Sequence, residues 1–187
     1  AEQAWHGLGG LFIIEDEEEA ALGLPSGEDE LFLTLRDIKL GPLDKILYPA
    51  DADGTEGRIQ MINGGVYPRV LLRNRQIRVR ILNAANARAF NLTADAGMTL
   101  IGNDGGLLEA PVAIERVMMG PAERIDLILD LRHVAPGGIV VLKDPAFSEP
   151  LLQIEVVEGA ADPWEIQSLL SMIEKLVHAV DRKSVGW

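Results

Sequence analysis

Histidine and cysteine are the side chains that most often ligate transition metals or act as base and nucleophile near neutral pH, and they are scarce in this sequence. It contains three histidines, His6, His133 and His178, and no cysteine. A chain without thiols can form no disulfide, no thiolate nucleophile, no iron–sulfur cluster and no thiolate-ligated copper. A metal site needs several converging ligands, usually with one close pair on a strand or helix. The three histidines stand far apart, and each reads as a surface or hydrogen-bonded side chain. No Gly-x-Ser-x-Gly elbow, Gly-x-x-x-x-Gly-Lys phosphate loop or His-Glu-x-x-His pair occurs. No catalytic, cofactor-binding or metal-ligating residue is expected within this chain.

Four weaker patterns read as structural. Asp51-Ala52-Asp53-Gly54-Thr55-Glu56 gathers oxygen ligands around a glycine but lacks the later bidentate glutamate of a calcium loop, and reads as an Asp-Gly turn. Gly102-Asn103-Asp104-Gly105-Gly106 reads as a turn between antiparallel strands. Arg69, Arg73, Arg75, Arg78, Arg80 and Arg88 concentrate positive charge in one stretch, suited equally to carboxylate pairing and to an anion. The acidic run Glu15 to Glu19 reads as a solvated turn leading into a short helical segment, Ala20 to Leu24.

The elements that would position these residues are mostly short strands separated by Gly, Pro, Asn and Asp, the pattern of an all-β sandwich. Strands are expected at Leu11 to Glu15, Leu31 to Leu40, Arg58 to Ile62, Val70 to Leu72, Gln76 to Leu82, Phe90 to Ala94, Thr99 to Gly102, Val112 to Met119, Arg124 to Leu131, Gly138 to Leu142 and Leu151 to Val157. Alternation in Gln76 to Ile81 puts Ile77, Val79 and Ile81 on one face and Gln76, Arg78 and Arg80 on the other, argued to be solvated. The expected core is Ile77, Val79, Ile81, Leu92, Ile101, Leu127 and Leu129. After Pro163 the period changes. Ile166, Leu169, Leu170, Ile173, Leu176, Val177 and Val180 recur at helical steps, which predicts an amphipathic helix from about Pro163 to Asp181 with Asp162 as its N-cap. That stripe is an expected interface. The change of period puts a boundary near Gly159, ahead of a linker with helix over 160–187.

Composition agrees with a globular domain: 48% of residues are hydrophobic and 25% charged. A net charge of −12 opposes nucleic acid and anionic membrane surfaces. No apolar run has the length of a membrane span, and the opening residues lack the basic start and apolar stretch of a signal peptide.

Four phrases, in order, resemble one family: Gly7 to Asp16, Arg80 to Arg88, Gly105 to Val112, and Gly120 to Asp126. They are similar to the bacterial three-domain multicopper oxidases, the laccase-like and metallo-oxidase group. The first phrase resembles the last strand of the family's first domain and the rest its second domain, so the likeness runs from about Ala1 to Gly159 and implies a division into residues 1–16 and a cupredoxin-like domain over 17–159. The resemblance implies a Greek-key, cupredoxin-like β-sandwich, and for the family a periplasmic or secreted location. It also implies that copper belongs to the parent family and not to this chain, because His-x-His pairs of the first and third domains and a cysteine of the third hold the metal. His6 falls at a variable position of the first phrase and inherits no ligand role.

The resulting reading is a copper-free structural or spacer domain whose parent oxidises phenolic or metal-ion substrates and reduces oxygen to water. Two alternatives are a subunit of a copper enzyme whose ligands come from another chain, and a self-associating interaction module. The partners follow: the absent first and third oxidase domains, or further copies of the chain joined through the helix, making a homo-oligomer.

Overall fold

The computed structural model describes residues 2–49, 51–52 and 54–173. Two short helices, α1 (Glu2–Trp5) and α2 (Glu17–Ala21), precede eleven strands: β1 (Glu30–Ile38), β2 (Ile59–Ile62), β3 (Arg69–Arg73), β4 (Gln76–Asn83), β5 (Phe90–Ala94), β6 (Gly97–Asn103), β7 (Gly106–Ile114), β8 (Val117–Met119), β9 (Arg124–Asp130), β10 (Ile139–Lys143) and β11 (Leu152–Val157). They form a six-stranded sheet in the order β2-β1-β4-β9-β6-β7 and a five-stranded sheet in the order β3-β11-β10-β5-β8. Both sheets are mixed, because β1 pairs with β4, and β3 with β11, in parallel. Parallel partners need long crossovers. Both pairs accordingly join strands distant in sequence.

The core lies between the sheets. Leu33, Leu35, Ile77, Val79, Ile81, Leu127 and Leu129 from one face meet Leu72, Phe90, Leu92, Val140, Leu142, Ile154 and Val156 from the other. Period-two alternation sends each set inward. Ile101 does not join them. It faces the opposite side of the six-stranded sheet, in a second cluster with Leu24, Ile128 and Leu170, packed against Trp164 and Ile166. Met98 and Leu100 take the inward positions of β6, so alternation itself sends Ile101 outward, and the expectation chose the wrong phase of the strand.

Several expected elements differ. Leu11 to Glu15 is not a strand; residues 9–16 carry no regular structure. Val112 to Met119 is divided between β7 and β8, and β7 begins at Gly106, directly after the Asp104-Gly105 turn. The later part of the acidic run, Glu17 to Glu19, opens α2, with the Asp16 carboxylate accepting the Glu19 N–H at 2.7 Å as its N-cap. Around the expected Asp-Gly turn, the Gly54 N–H donates to Asp51 O at 3.1 Å and Gly54 lies at φ +98°, while Asp53 lies outside the described residues.

The largest difference is the tail. Between Pro163 and Ile173 there is no helix. The segment runs along the outer face of the six-stranded sheet as a strap. The Gln76 amide donates to Trp164 O at 2.7 Å, Leu170 N–H donates to Glu109 O at 2.8 Å, and the Ser171 hydroxyl lies 3.0 Å from both Leu107 O and Leu108 O. Asp162 accepts the Gln76 N–H at 2.8 Å and so caps a sheet rather than a helix. Of the expected stripe, Leu170 is buried and Ile166 half-buried, whereas Leu169 and Ile173 are 57% and 55% exposed. Leu176, Val177 and Val180 lie outside the described residues. The sheet's acceptors and apolar outer face compete with helical hydrogen bonds, and over 163–173 the sheet prevails.

Candidate functional site

The outer face of β4 carries Gln76, Arg78 and Arg80, the side expected to meet water. Arg78 is instead 3% exposed. The covering layer is α2 and the chain leading to it. Arg78 grips Asp126 through Nε, at 3.1 and 3.0 Å from its two carboxylate oxygens, and through Nη2 at 2.5 Å, while its Nη1 donates to Glu19 at 2.7 Å. Arg80 Nη2 donates to the same Glu19 oxygen at 2.5 Å. Its Nε lies 2.8 Å from Glu30 Oε1, a close ion pair whose angles do not make a hydrogen bond. Burial pushes the Asp126 and Glu30 carboxyls above their ordinary values, against the pull of the two arginines.

Beside this cluster is a pocket of about 270 Å³, walled by Leu11 to Ile14, the β6–β7 hairpin and Arg124. Arg78 and Arg80 are committed to carboxylates, and Arg124 pairs with Asp104 at 3.1 Å. The wall holds no nucleophile–base pair. Its chemistry is that of a clasp: Glu19 pins α2, and with it the N-terminal segment, to the sheet.

The phrases that stood out in the sequence also converge, and they do so as structural staples. Asn83 is fully buried. Its side-chain amide donates to Arg88 O at 2.8 Å and Met119 O at 3.0 Å, and its Oδ1 accepts the Ala85 N–H at 3.0 Å. Its backbone N–H donates to Glu123 O, and its C=O accepts from Ala122 N–H. One asparagine thus joins Arg80 to Arg88 with Gly120 to Asp126. Arg88 continues the staple, pairing with buried Asp37 at 2.7 Å, donating to Gly57 O at 2.7 Å and stacking over Phe147 at 4.8 Å. Gly105 to Val112 forms the β6–β7 turn and most of β7, with Asp104 Oδ1 accepting the Arg124 N–H at 2.8 Å. The arginine-rich stretch therefore resolves largely into ion pairs. No short-range pattern marked Glu19 or Glu30 as partners.

His6 and His133 are both exposed and belong to no cluster, and His178 lies outside the described residues. Among the described residues, no three His, Cys, Asp or Glu side chains are grouped so as to hold a metal ion.

Comparison with known proteins agrees with this arrangement. The chain is 34% identical over 150 residues to the laccase of Bacillus subtilis, and 35% identical over 137 residues to the cell division protein FtsP of Proteus mirabilis. These alignments take in 72% and 70% of the chain but 29% of each relative. The fold matches the McoA multicopper oxidase of Aquifex aeolicus with a TM-score of 0.85 at 25% identity, over 94% of this chain and 42% of that one. It matches the laccase of Pediococcus acidilactici with a TM-score of 0.79 at 31% identity, over 90% and 37%. No family model matches. The chain thus overlays a domain-sized share of each of these oxidases. It is a cupredoxin-like domain of the multicopper oxidases.

The multicopper oxidase likeness sharpens the question of copper. The donors present do not fit such a centre, since a blue site takes two histidines and a cysteine, and the two described histidines lie exposed and unclustered in a chain without cysteine. What this multicopper-oxidase domain has kept is the stapled sandwich.

Proposed function

We propose that this domain serves as a copper-free structural spacer, shaped to hold its oxidase-type neighbours in place while the copper chemistry resides elsewhere. The observation that carries the reading is the pairing of a packed sandwich, its six-stranded sheet covered on both faces, with a sequence lacking cysteine. The range of relatives supports it. A laccase and a cell division protein match at nearly the same identity, 34% and 35%, and what two such proteins share is more naturally a framework than a reaction. The activity associated with the reading, copper-dependent oxidation of phenols or metal ions with reduction of oxygen, belongs to a whole oxidase. The partners it implies are flanking oxidase domains.

Reconstitution with Cu²⁺ tests this. The purified chain is expected to develop no intense visible thiolate-to-copper band and to oxidise no phenolic dye. Either signal would overturn the reading.

A further inference from the structure

Among the described residues, every buried or partly buried arginine pairs with a carboxylate except one. Arg36, on β1, is partly buried, and its Nε is shielded from solvent with no hydrogen-bond partner. No carboxylate forms an ion pair with it among the described residues. Its neighbour Asp37 faces the core, engaged by Arg88 and by the Gly57 N–H at 2.6 Å. Arg58 and Arg116 also lack ion pairs, but both are exposed and water solvates them. Burial has already pulled the Arg36 guanidinium below its ordinary value. The Asp37 charge offsets this only in part, being spent on Arg88, and a desolvated cation without a carboxylate bonded to it is costly, because the lost hydration is not replaced.

Arg36 lines a pocket of about 290 Å³ whose other walls are small or already satisfied. Gly7, Gly9, Gly64, Ala4 and Ala84 leave the space open, with Thr34 alongside. Asn63 spends its amide on the β1 backbone, accepting from Thr34 N–H and donating to Phe32 O, each at 2.8 Å. No acidic side chain lines the pocket. Gly7, at φ +100°, lies against the guanidinium so closely that a Cβ there would overlap it. The arginine is thus held from one side and unpaired on the other.

We propose that Arg36 and this glycine-walled pocket form a binding site for a small, singly charged carboxylate. The planar guanidinium fork matches a carboxylate in two parallel hydrogen bonds. The overall charge of −12 selects against polyanions, which the field of the chain repels more strongly than a monoanion. The site is independent of the spacer reading, since it uses none of the residues that staple the sandwich. The carboxylate can be a free small molecule or a glutamate side chain of a neighbouring protein segment.

The test is nuclear magnetic resonance on the full chain at constant ionic strength, following Arg36 Nε–H and the amides of Gly7, Gly9 and Gly64. Sodium acetate and N-acetylglutamate amide are titrated in separate arms, with chloride as the control. Saturable shifts at these four groups are expected, and the arm with the tighter response identifies the source. In Arg36→Met binding should weaken roughly tenfold or more, as expected for loss of a charge-assisted pair, with Arg36→Lys in between. Linear, chloride-like shifts in both arms of the unaltered protein would overturn the proposal, whether or not the variants fold. So would undiminished binding by a folded Arg36→Met.

Discussion

Arg78 shows why the direction of a side chain and its exposure are separate questions. Alternation along β4 correctly turns it away from the core, yet α2 and the chain before it form a second layer, and the guanidinium ends buried between Asp126 and Glu19. Removing it strips Asp126 of its hydrogen-bonded partner and leaves Arg80 as the one cation shared among Glu19, Glu30 and, at 4.0 Å, Asp126. Arg78→Ala should therefore cost about 3–5 kcal/mol, against at most about 0.5 kcal/mol for exposed Arg116→Ala, as measured by urea unfolding. The local pattern could not show this, because Glu19 is supplied from far back in the chain. A milder pair tests the electrostatics by pH. Hydrogen bonds from Arg132 hold the Asp130 carboxyl below its ordinary value. A depressed acid contributes stability above its unfolded pKa, about 3.9, and loses it as pH falls through the folded value. The melting temperature of Asp130→Asn should accordingly lie below that of the parent near pH 7, and the gap should close in strong acid. Glu30 and Asp126, raised by burial, have the opposite sign: each favours folding more when protonated, and that contribution declines as pH rises through its folded pKa.

The strap is the element that most separates sequence reading from structure. Helical spacing from Ile166 to Val180 is real, but residues 163–173 hydrogen-bond to β4 and β7 and turn Trp164 and Ile166 toward the sheet. A helical stripe would bury Leu169 and Leu170 alike; the strap buries only Leu170, which is 5% exposed. Leu170→Ala should cost about 2–5 kcal/mol by cavity formation, while Leu169→Ala should leave the thermal midpoint nearly unchanged. Equal losses would restore the helix. Most strands, by contrast, were legible. Phe90 to Ala94 matches β5 residue for residue, because a half-buried strand writes its period into its own residues. Core facing was legible for the same reason, and Leu127→Ala should cost about 2–5 kcal/mol. Leu11 to Glu15 has strand composition without a strand beside it, since pairing is supplied by a neighbour and not by the residues themselves. The candidate site was less legible than the fold: the arginines were visible, but not which of them would find a partner.

At the scale of the molecule, net charge sets a background against which these local pairs act. A charge of −12 makes the compact state repel itself, so raising salt from near zero to about 0.15 M, where the Debye length is about 8 Å, should raise the melting temperature. A fall would show that the ion pairs outweigh the repulsion. Sedimentation of the intact chain beside one ending at Gly159 tests for self-association carried by the tail, since a larger species lost on truncation would place the contact there. The parallel joining of β3 to β11 has a further consequence, for birth on the ribosome. β3 is an edge strand whose sole partner within its sheet is β11, and β11 emerges roughly 80 residues later. At about 5–20 residues per second, Val70, Leu71 and Leu72 wait several seconds with nothing to pair with. During that interval the nascent chain presents a naked apolar strand, and the five-stranded sheet can close only when translation has nearly passed the whole domain.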